Sequence, residues 1–283
     1  METPVVNADS ARRELDREYS PSSLVDDLGV HLTRYGTDSA YAQSSLTVHR
    51  DLSCGPLPEQ RFDLFPADGE GAPLVVFVHG GYWQELSKDE AAFAARDFVA
   101  AGVSFAALAY GLAPRYPMRE ITAMVSASLH HIRAGLRHLP GAPGAVHLAG
   151  HSAGAHLVAC ALESLGSEVA SATLISGVYD LEPLRHTYVN DALGMDADEA
   201  RDVSPLSRPS APLPELVVAR GENETGAFAG QHDRWVAHAR AGGAVVTDLV
   251  VAGRHHFDLP FDLGDPETEL GAEVLRLVLR RPG

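Results

Sequence analysis

From residue 74 onward, apolar residues gather into short continuous runs separated by stretches with helical spacing. Leu74 to Val78 is such a run, as expected for a strand covered on both faces. Val103 to Ala109, Val146 to Ala149, Ala172 to Ile175, Leu216 to Ala219 and Val245 to Val251 repeat it. Between them, Asp89 to Ala101 reads as an alanine-rich helix, and Ala153 to Leu165 and His232 to Ala241 as two more. Val125, Leu129, Ile132 and Leu136 share one face of a helix over Ile121 to Leu136. Leu270, Val274, Leu277 and Val278 give a closing helix its apolar stripe. Strand alternating with helix predicts an α/β fold, a mostly parallel sheet with helices on both faces.

The ends of this core read differently. Residues 1–45 are polar with scattered aromatics, and Ala11 to Tyr19 predicts a short helix broken at Ser20, Pro21 and Ser22. Leu46 to His49 and Arg61 to Phe65 alternate around a Gly/Pro loop and predict an antiparallel hairpin at a sheet edge. Between Asp180 and Pro214 the periodicity weakens under repeated prolines. Insertions of this length in compact domains are often lids, so residues 180–214 read as a small cap. The length of 283 residues suits one domain over 1–283, with 1–45 packing near the site.

Composition narrows the function classes. The net charge is −16 and Lys88 is the only lysine, which speaks against a phosphate-backbone binder and predicts no nucleic-acid partner. No run of about 18 apolar residues occurs, and the polar start lacks a secretory h-region; no membrane span is expected. Two cysteines, Cys54 and Cys160, are too few for a disulfide framework, and a reduced cytoplasmic protein is the simplest expectation. No H-E-x-x-H, C-x-x-C, G-x-G-x-x-G or P-loop is present, so no metal and no cofactor are expected. A homodimer is compatible with the sequence.

The chemistry concentrates in three loops. Gly150, His151, Ser152, Ala153 and Gly154 form G-x-S-x-G between a predicted strand and a predicted helix, the context of the nucleophile elbow of α/β-hydrolases. Ser152 is therefore the candidate nucleophile. A serine hydroxyl needs a base and an orienter, which follow in the order acid, then histidine. His255 and His256 follow the last strand, and either could be the base. Glu222 and Glu224 follow the preceding strand, with Asp180 as a fallback acid and Asp233 a weak candidate inside a helix. Oxyanion donors should come from Ala153 and from the loop after an early strand, where His79, Gly80, Gly81, Tyr82 and Trp83 stand.

These segments look familiar together. HGGYW at 79–83, GHSAGAHL at 150–157, GENET at 221–225 and HHFD at 255–258 resemble the kynurenine formamidase (arylformamidase) branch of the α/β-hydrolases, related to the hormone-sensitive-lipase-like esterases. Trp83 stands where those esterases usually carry a third glycine. Tyr110, Leu112, Ala113 and Pro114 resemble the family's Y-R-L-A-P segment with Gly111 in place of arginine, and EYSPS at 18–22 its N-terminal stretch. The resemblance implies Ser152 as nucleophile, His256 as base and Glu224 as acid, where most members carry aspartate; Glu222 is the alternative acid. It implies Gly81, Tyr82 and Ala153 as oxyanion donors and Trp83 and Tyr82 as substrate-binding residues. The implied reaction releases a formyl group from an aryl amide such as N-formylkynurenine through an acyl-enzyme, in tryptophan catabolism. The alternatives are a small-chain carboxylesterase or a tailoring hydrolase acting on an ester, lactone or carbamate, and a hydrolase-fold binder without catalysis.

Overall fold

The computed structural model describes residues 8–208 and 212–280. The first seven residues of the 1–45 segment and residues 209–211 of the 180–214 insertion lie outside them. In chain order the elements are α1 (Ala8–Glu18), α2 (Leu28–Ser45), β1 (His49–Ser53), β2 (Arg61–Phe65), β3 (Leu74–Val78), α3 (Ala95–Ala100), β4 (Ser104–Leu108), α4 (Met118–Gly135), β5 (Val146–His151) and α5 (Ala153–Leu165). There follow β6 (Ser171–Ile175), α6 (Asn190–Leu193), α7 (Ala197–Asp202), β7 (Glu215–Asn223), α8 (Gly226–Ala241), β8 (Val246–His255) and α9 (Glu269–Val278).

The eight strands form one sheet in the order β1-β2-β4-β3-β5-β6-β7-β8. β1 and β2 run antiparallel at one edge, and every pairing from β4 to β8 is parallel. Strand pleating sends successive side chains to opposite faces. Accordingly Leu74, Val76 and Val78 enter one core with α4 and α5, while Val75 and Phe77 enter a second with α3 and α9. Coverage on both faces explains the unbroken apolar runs of β3, β4, β5 and β6, whereas β8, expected to be covered in the same way, is an edge strand with most of its residues exposed or half-buried.

Three expectations need correcting. The helix predicted over Asp89 to Ala101 is a 3-10 turn at Lys88–Glu90 followed by the short α3. Ala92 N–H donates to the buried Ser39 hydroxyl of α2 at 3.0 Å instead of to the preceding turn. The first edge strand begins at His49, not Leu46. The N-terminal segment, read as holding one short helix, carries a second, α2, which packs Tyr35, Ser39 and Ala42 inward.

The step from β5 into α5 is set by a close approach. A Cβ on Gly154 would stand 2.6 Å from the His79 carbonyl oxygen and closer still to that of Val78. Only a hydrogen fits there, so the first turn of α5 lies directly on the end of β3. Gly154→Ala is expected to cost about 3 kcal/mol through overpacking. Gly36→Ala, mid-α2 with open space at its Cβ, is expected to gain up to about 1 kcal/mol from helix propensity. Urea melts of the two variants check both signs.

Several histidines are buried in this framework. Burial pushes His79, His147 and His156 down to about 4, although ring N–H groups of His79 and His156 are spent on the carbonyls of Gly80 and Val203. Each folded value lies below the ordinary 6.5, so the unfolded chain takes up protons first as pH falls. Each site then contributes about 3 kcal/mol of stability that is present above pH 6.5 and lost towards pH 4. The unfolding midpoint is therefore expected to be flat above about pH 7.5 and to fall steeply between pH 6.5 and 4, as a pH series of thermal melts would show.

Candidate active site

Ser152 sits between β5 and α5 with φ 55 and ψ −117, a left-handed backbone that a residue with a Cβ rarely adopts. Its N–H donates to Ile175 O at 2.8 Å, and its carbonyl accepts from His156 N–H at 3.2 Å. Both backbone groups are thus committed, which holds the turn in its strained form. Ala153 is the first residue of α5, where an N–H has no acceptor within the helix.

Across the sheet, β7 and β8 bring the next two residues together. His256 follows β8, and its Nδ1 lies 3.2 Å from Glu224 Oε2; both side chains are almost wholly buried. The other oxygen, Oε1, accepts from Ser176 Oγ at 2.6 Å and from Gly221 N–H at 2.7 Å. Burial opposes ionisation of Glu224. The hydrogen bond and charge of His256, then Ser176 and Gly221, outweigh it and hold the carboxyl below the ordinary carboxylate range. A histidine that gives its Nδ1–H to a carboxylate presents its Nε2 lone pair on the other side of the ring. Ser152 and His256 line the same cavity.

The His256 ring is boxed in by Phe228 edge-on at 4.7 Å, Phe257 at 5.0 Å and His151 at 4.8 Å. His151 donates its Nε2–H to the His256 carbonyl at 2.9 Å. Burial, and after it the neighbouring His256, pushes His151 well below the usual histidine range. The second imidazole therefore stays neutral and does not compete for the proton.

The turn after β3 closes over the elbow. Its Gly80 would place a Cβ 3.3 Å from Ser152 Cβ. The buried Tyr110 hydroxyl lies 2.9 Å from the His79 carbonyl oxygen and 3.1 Å from that of Gly80, and its ring stacks on His79 at 4.3 Å. With the His79 ring N–H on the Gly80 carbonyl at 2.9 Å, the Tyr110 hydroxyl is left to the His79 carbonyl, while the N–H groups of Gly81 and Tyr82 donate to no acceptor among the described residues. Gly81 has φ +96, and a Cβ there would overlap the Glu85 carbonyl.

The remaining candidates separate cleanly. Glu222 is exposed and accepts Gly253 N–H at 3.0 Å, away from His256. The His255 ring turns instead to Asp258, whose Oδ1 lies 3.4 Å from its Nδ1 and accepts its backbone N–H at 2.7 Å, and to the His31 ring at 4.7 Å. Asp180 pairs with Arg234 at 2.7 Å, and Asp233 lies exposed on α8. Trp83, expected against the substrate, is instead fully buried, with its ring edge-on to His156 at 5.1 Å. It packs the turn from beneath, whereas Tyr82 does line the cavity. Ser176 is a residue that sequence reasoning missed: it follows β6 with φ 52 and reaches the Glu224 carboxylate beyond the neighbouring strand. A serine directly after a strand adjacent to the acid's strand was its only signal.

The cavity measures about 190 Å³ and is mostly apolar. α2 contributes Leu28, Leu32 and Tyr35, and the 180–214 insertion contributes Tyr188 and Val189. No helix of the described residues is long and apolar enough to cross a membrane, and no cluster of metal-binding side chains occurs among them.

Comparison with known proteins places this geometry. Residues 75–256 match the family model described as the alpha/beta hydrolase fold. The chain is 30% identical to a kynurenine formamidase of Danio rerio and 32% identical to one of Salmo salar, each match covering 95% of this chain and 97% of the relative. Among solved structures, a thioesterase candidate from Silicibacter is 30% identical with a TM-score of 0.82, over 94% of this chain and 99% of that one. An esterase of Pyrobaculum calidifontis is 18% identical with a TM-score of 0.72, over 97% and 96%, a likeness of fold alone. This chain belongs to the α/β-hydrolase family, in the branch that holds the kynurenine formamidases.

Proposed function

We propose that this protein is a serine hydrolase that removes a formyl group from an aryl amide of the N-formylkynurenine type. The observation that carries the reading is the buried Glu224–His256 pair, whose histidine lines the same small apolar cavity as the strained Ser152. The substrate class rests on the full-length likeness to kynurenine formamidases. In this reading the N-terminal segment within 1–45 and residues 180–214 together cap the site.

The reaction follows from the groups in place. Ser152 Oγ attacks the formyl carbon as His256 Nε2 takes its proton, and the carbonyl π electrons move onto oxygen. The N–H groups of Gly81, Tyr82 and Ala153 receive that oxyanion. Glu224 stabilises the imidazolium and does not itself take the proton. The C–N bond then breaks, His256 returns the proton to the departing arylamine, and a formyl ester remains on Ser152. Water repeats the sequence, giving its proton to His256, and formate leaves with Ser152 restored. A cavity of this size, with Leu28, Leu32 and Phe257 on its walls, suits an aryl group and a one-carbon acyl group.

The Silicibacter likeness favours a second reading, hydrolysis of a small ester or thioester by the same residues. Parallel kcat/KM values for N-formylkynurenine and p-nitrophenyl acetate separate the two. Ester turnover without measurable deformylation would overturn the first reading. Ser152→Ala is expected to leave only residual rate, and Glu224→Gln to lower kcat by about 10³–10⁴ through the wrong histidine tautomer. Glu222→Gln is expected to stay within about twofold of wild type, since surface changes away from a site have small effects.

A further inference from the structure

The turn after β3 is strained along most of its length. Gly81, Tyr82, Trp83 and Leu86 all hold positive φ, at +96, 49, 59 and 67. Three of the four carry a side chain, and such conformations persist only where the surroundings over-determine them. Trp83 is fixed from below by burial and by its carbonyl, which accepts Ala113 N–H at 2.8 Å. Tyr82 is fixed from the side, its hydroxyl donating to the Tyr19 carbonyl at 2.6 Å.

Tyr19 is itself firmly held. Its hydroxyl accepts from Gln231 Nε2 at 3.2 Å, and Gln231 Oε1 accepts the N–H groups of Tyr179 and Asp180 at 3.0 and 2.9 Å. One residue earlier, the Glu18 carbonyl accepts the Thr225 hydroxyl at 2.6 Å. The Glu18 carboxylate accepts Ala227 N–H at 3.0 Å, at the start of α8. Thr225 directly follows Glu224. Two adjacent residues of the N-terminal segment thus fasten two turns that lie far apart in sequence: one bearing the oxyanion donors, the other bearing the acid.

We propose that Glu18 and Tyr19 form a positioning clamp for the oxyanion turn and the acid-bearing turn together, with the Tyr82 hydroxyl as its handle. The inference rests on the Ser152 hydrolase reading. A hydroxyl has one hydrogen, and that of Tyr82 is committed to Tyr19, so it is not free to donate to substrate. Burial raises the Tyr82 phenol well above its ordinary range, which keeps that hydrogen in place. The side chain therefore acts through its own backbone N–H, by holding the peptide where charge develops. Its loss should weaken binding of the tetrahedral state and leave ground-state binding alone.

The test uses the full chain with p-nitrophenyl acetate, which does not depend on a formyl preference. Two ligands accompany it: trifluoroacetophenone, which forms a tetrahedral adduct with the serine, and aniline as a ground-state ligand. Tyr82→Phe is expected to lower kcat roughly tenfold to a hundredfold, short of the loss on removing a donor outright. Its KM and aniline Ki should stay within about threefold, while the ketone Ki rises by the factor by which kcat/KM falls. Tyr19→Phe, which removes the bond to Gln231, should show the same signature at a few-fold, and the double variant should lose less than the product of the two. Ser23→Ala, exposed on the same segment, should match wild type. The clamp is overturned if Tyr82→Phe leaves kcat and the ketone Ki unchanged. It is equally overturned if KM and aniline Ki rise in its place, or if the two variants multiply independently. Ser152→Ala in the same assay tests the hydrolase reading separately, since undiminished turnover there would remove that reading whatever Tyr82→Phe does.

Discussion

The strained turn at Ser152 is the constraint around which the rest is arranged. A serine with φ 55 raises its side chain out of the strand-to-helix path, but the conformation has to be enforced. Enforcement comes from three directions. The Ser152 N–H is taken by β6, its carbonyl by α5, and the helix behind it is pressed onto β3 where Gly154 leaves room for nothing larger than hydrogen. The turn after β3 meets the elbow through the same contact. The sheet order β3-β5-β6-β7-β8 then places the turns of Glu224 and His256 on the other side of Ser152.

Around this elbow the charges are strictly rationed. Three histidines beside it, at 79, 151 and 156, are buried and held neutral. Only His256 among the buried imidazoles facing Ser152 has a carboxylate on its Nδ1. His151 beside it contributes a hydrogen bond to the His256 carbonyl and no competing positive charge.

Much of this was legible in the chain, for identifiable reasons. The central strands β3, β4, β5 and β6 are buried on both faces, so runs such as Leu74 to Val78 and Ser171 to Ile175 show in composition almost residue for residue. The elbow shows because the small residues at 150, 153 and 154 are demanded by local geometry. Where tertiary contacts decide, the pattern is silent. α2 buries positions 35, 39 and 42, which have helical spacing, but Ser39 and Ala42 are a hydroxyl and a methyl that no hydrophobic count detects. Residues 91–95 look helical because alanines are frequent there, yet those alanines are buried in close packing, and Ser39 takes the N–H that would have extended the helix. Trp83 fills the core beneath the turn after β3, a place that suits a large aromatic as well as a cavity wall does.

The glutamate at 224 shows how far such local reasoning reaches. One extra methylene relative to aspartate lengthens the acid, and a longer side chain needs something to stop it swinging. Ser176 Oγ and Gly221 N–H both bind Oε1, leaving Oε2 alone to meet His256. The two oxygens are thus divided between anchoring and orienting. Ser176 adopts a left-handed backbone of its own to reach this position, so the longer acid is accommodated by a second strained serine on the adjacent strand. No inspection of residues 221–225 alone could reveal this, because the compensating residue lies 48 positions away in the chain and becomes a neighbour only through the pairing of β6 with β7.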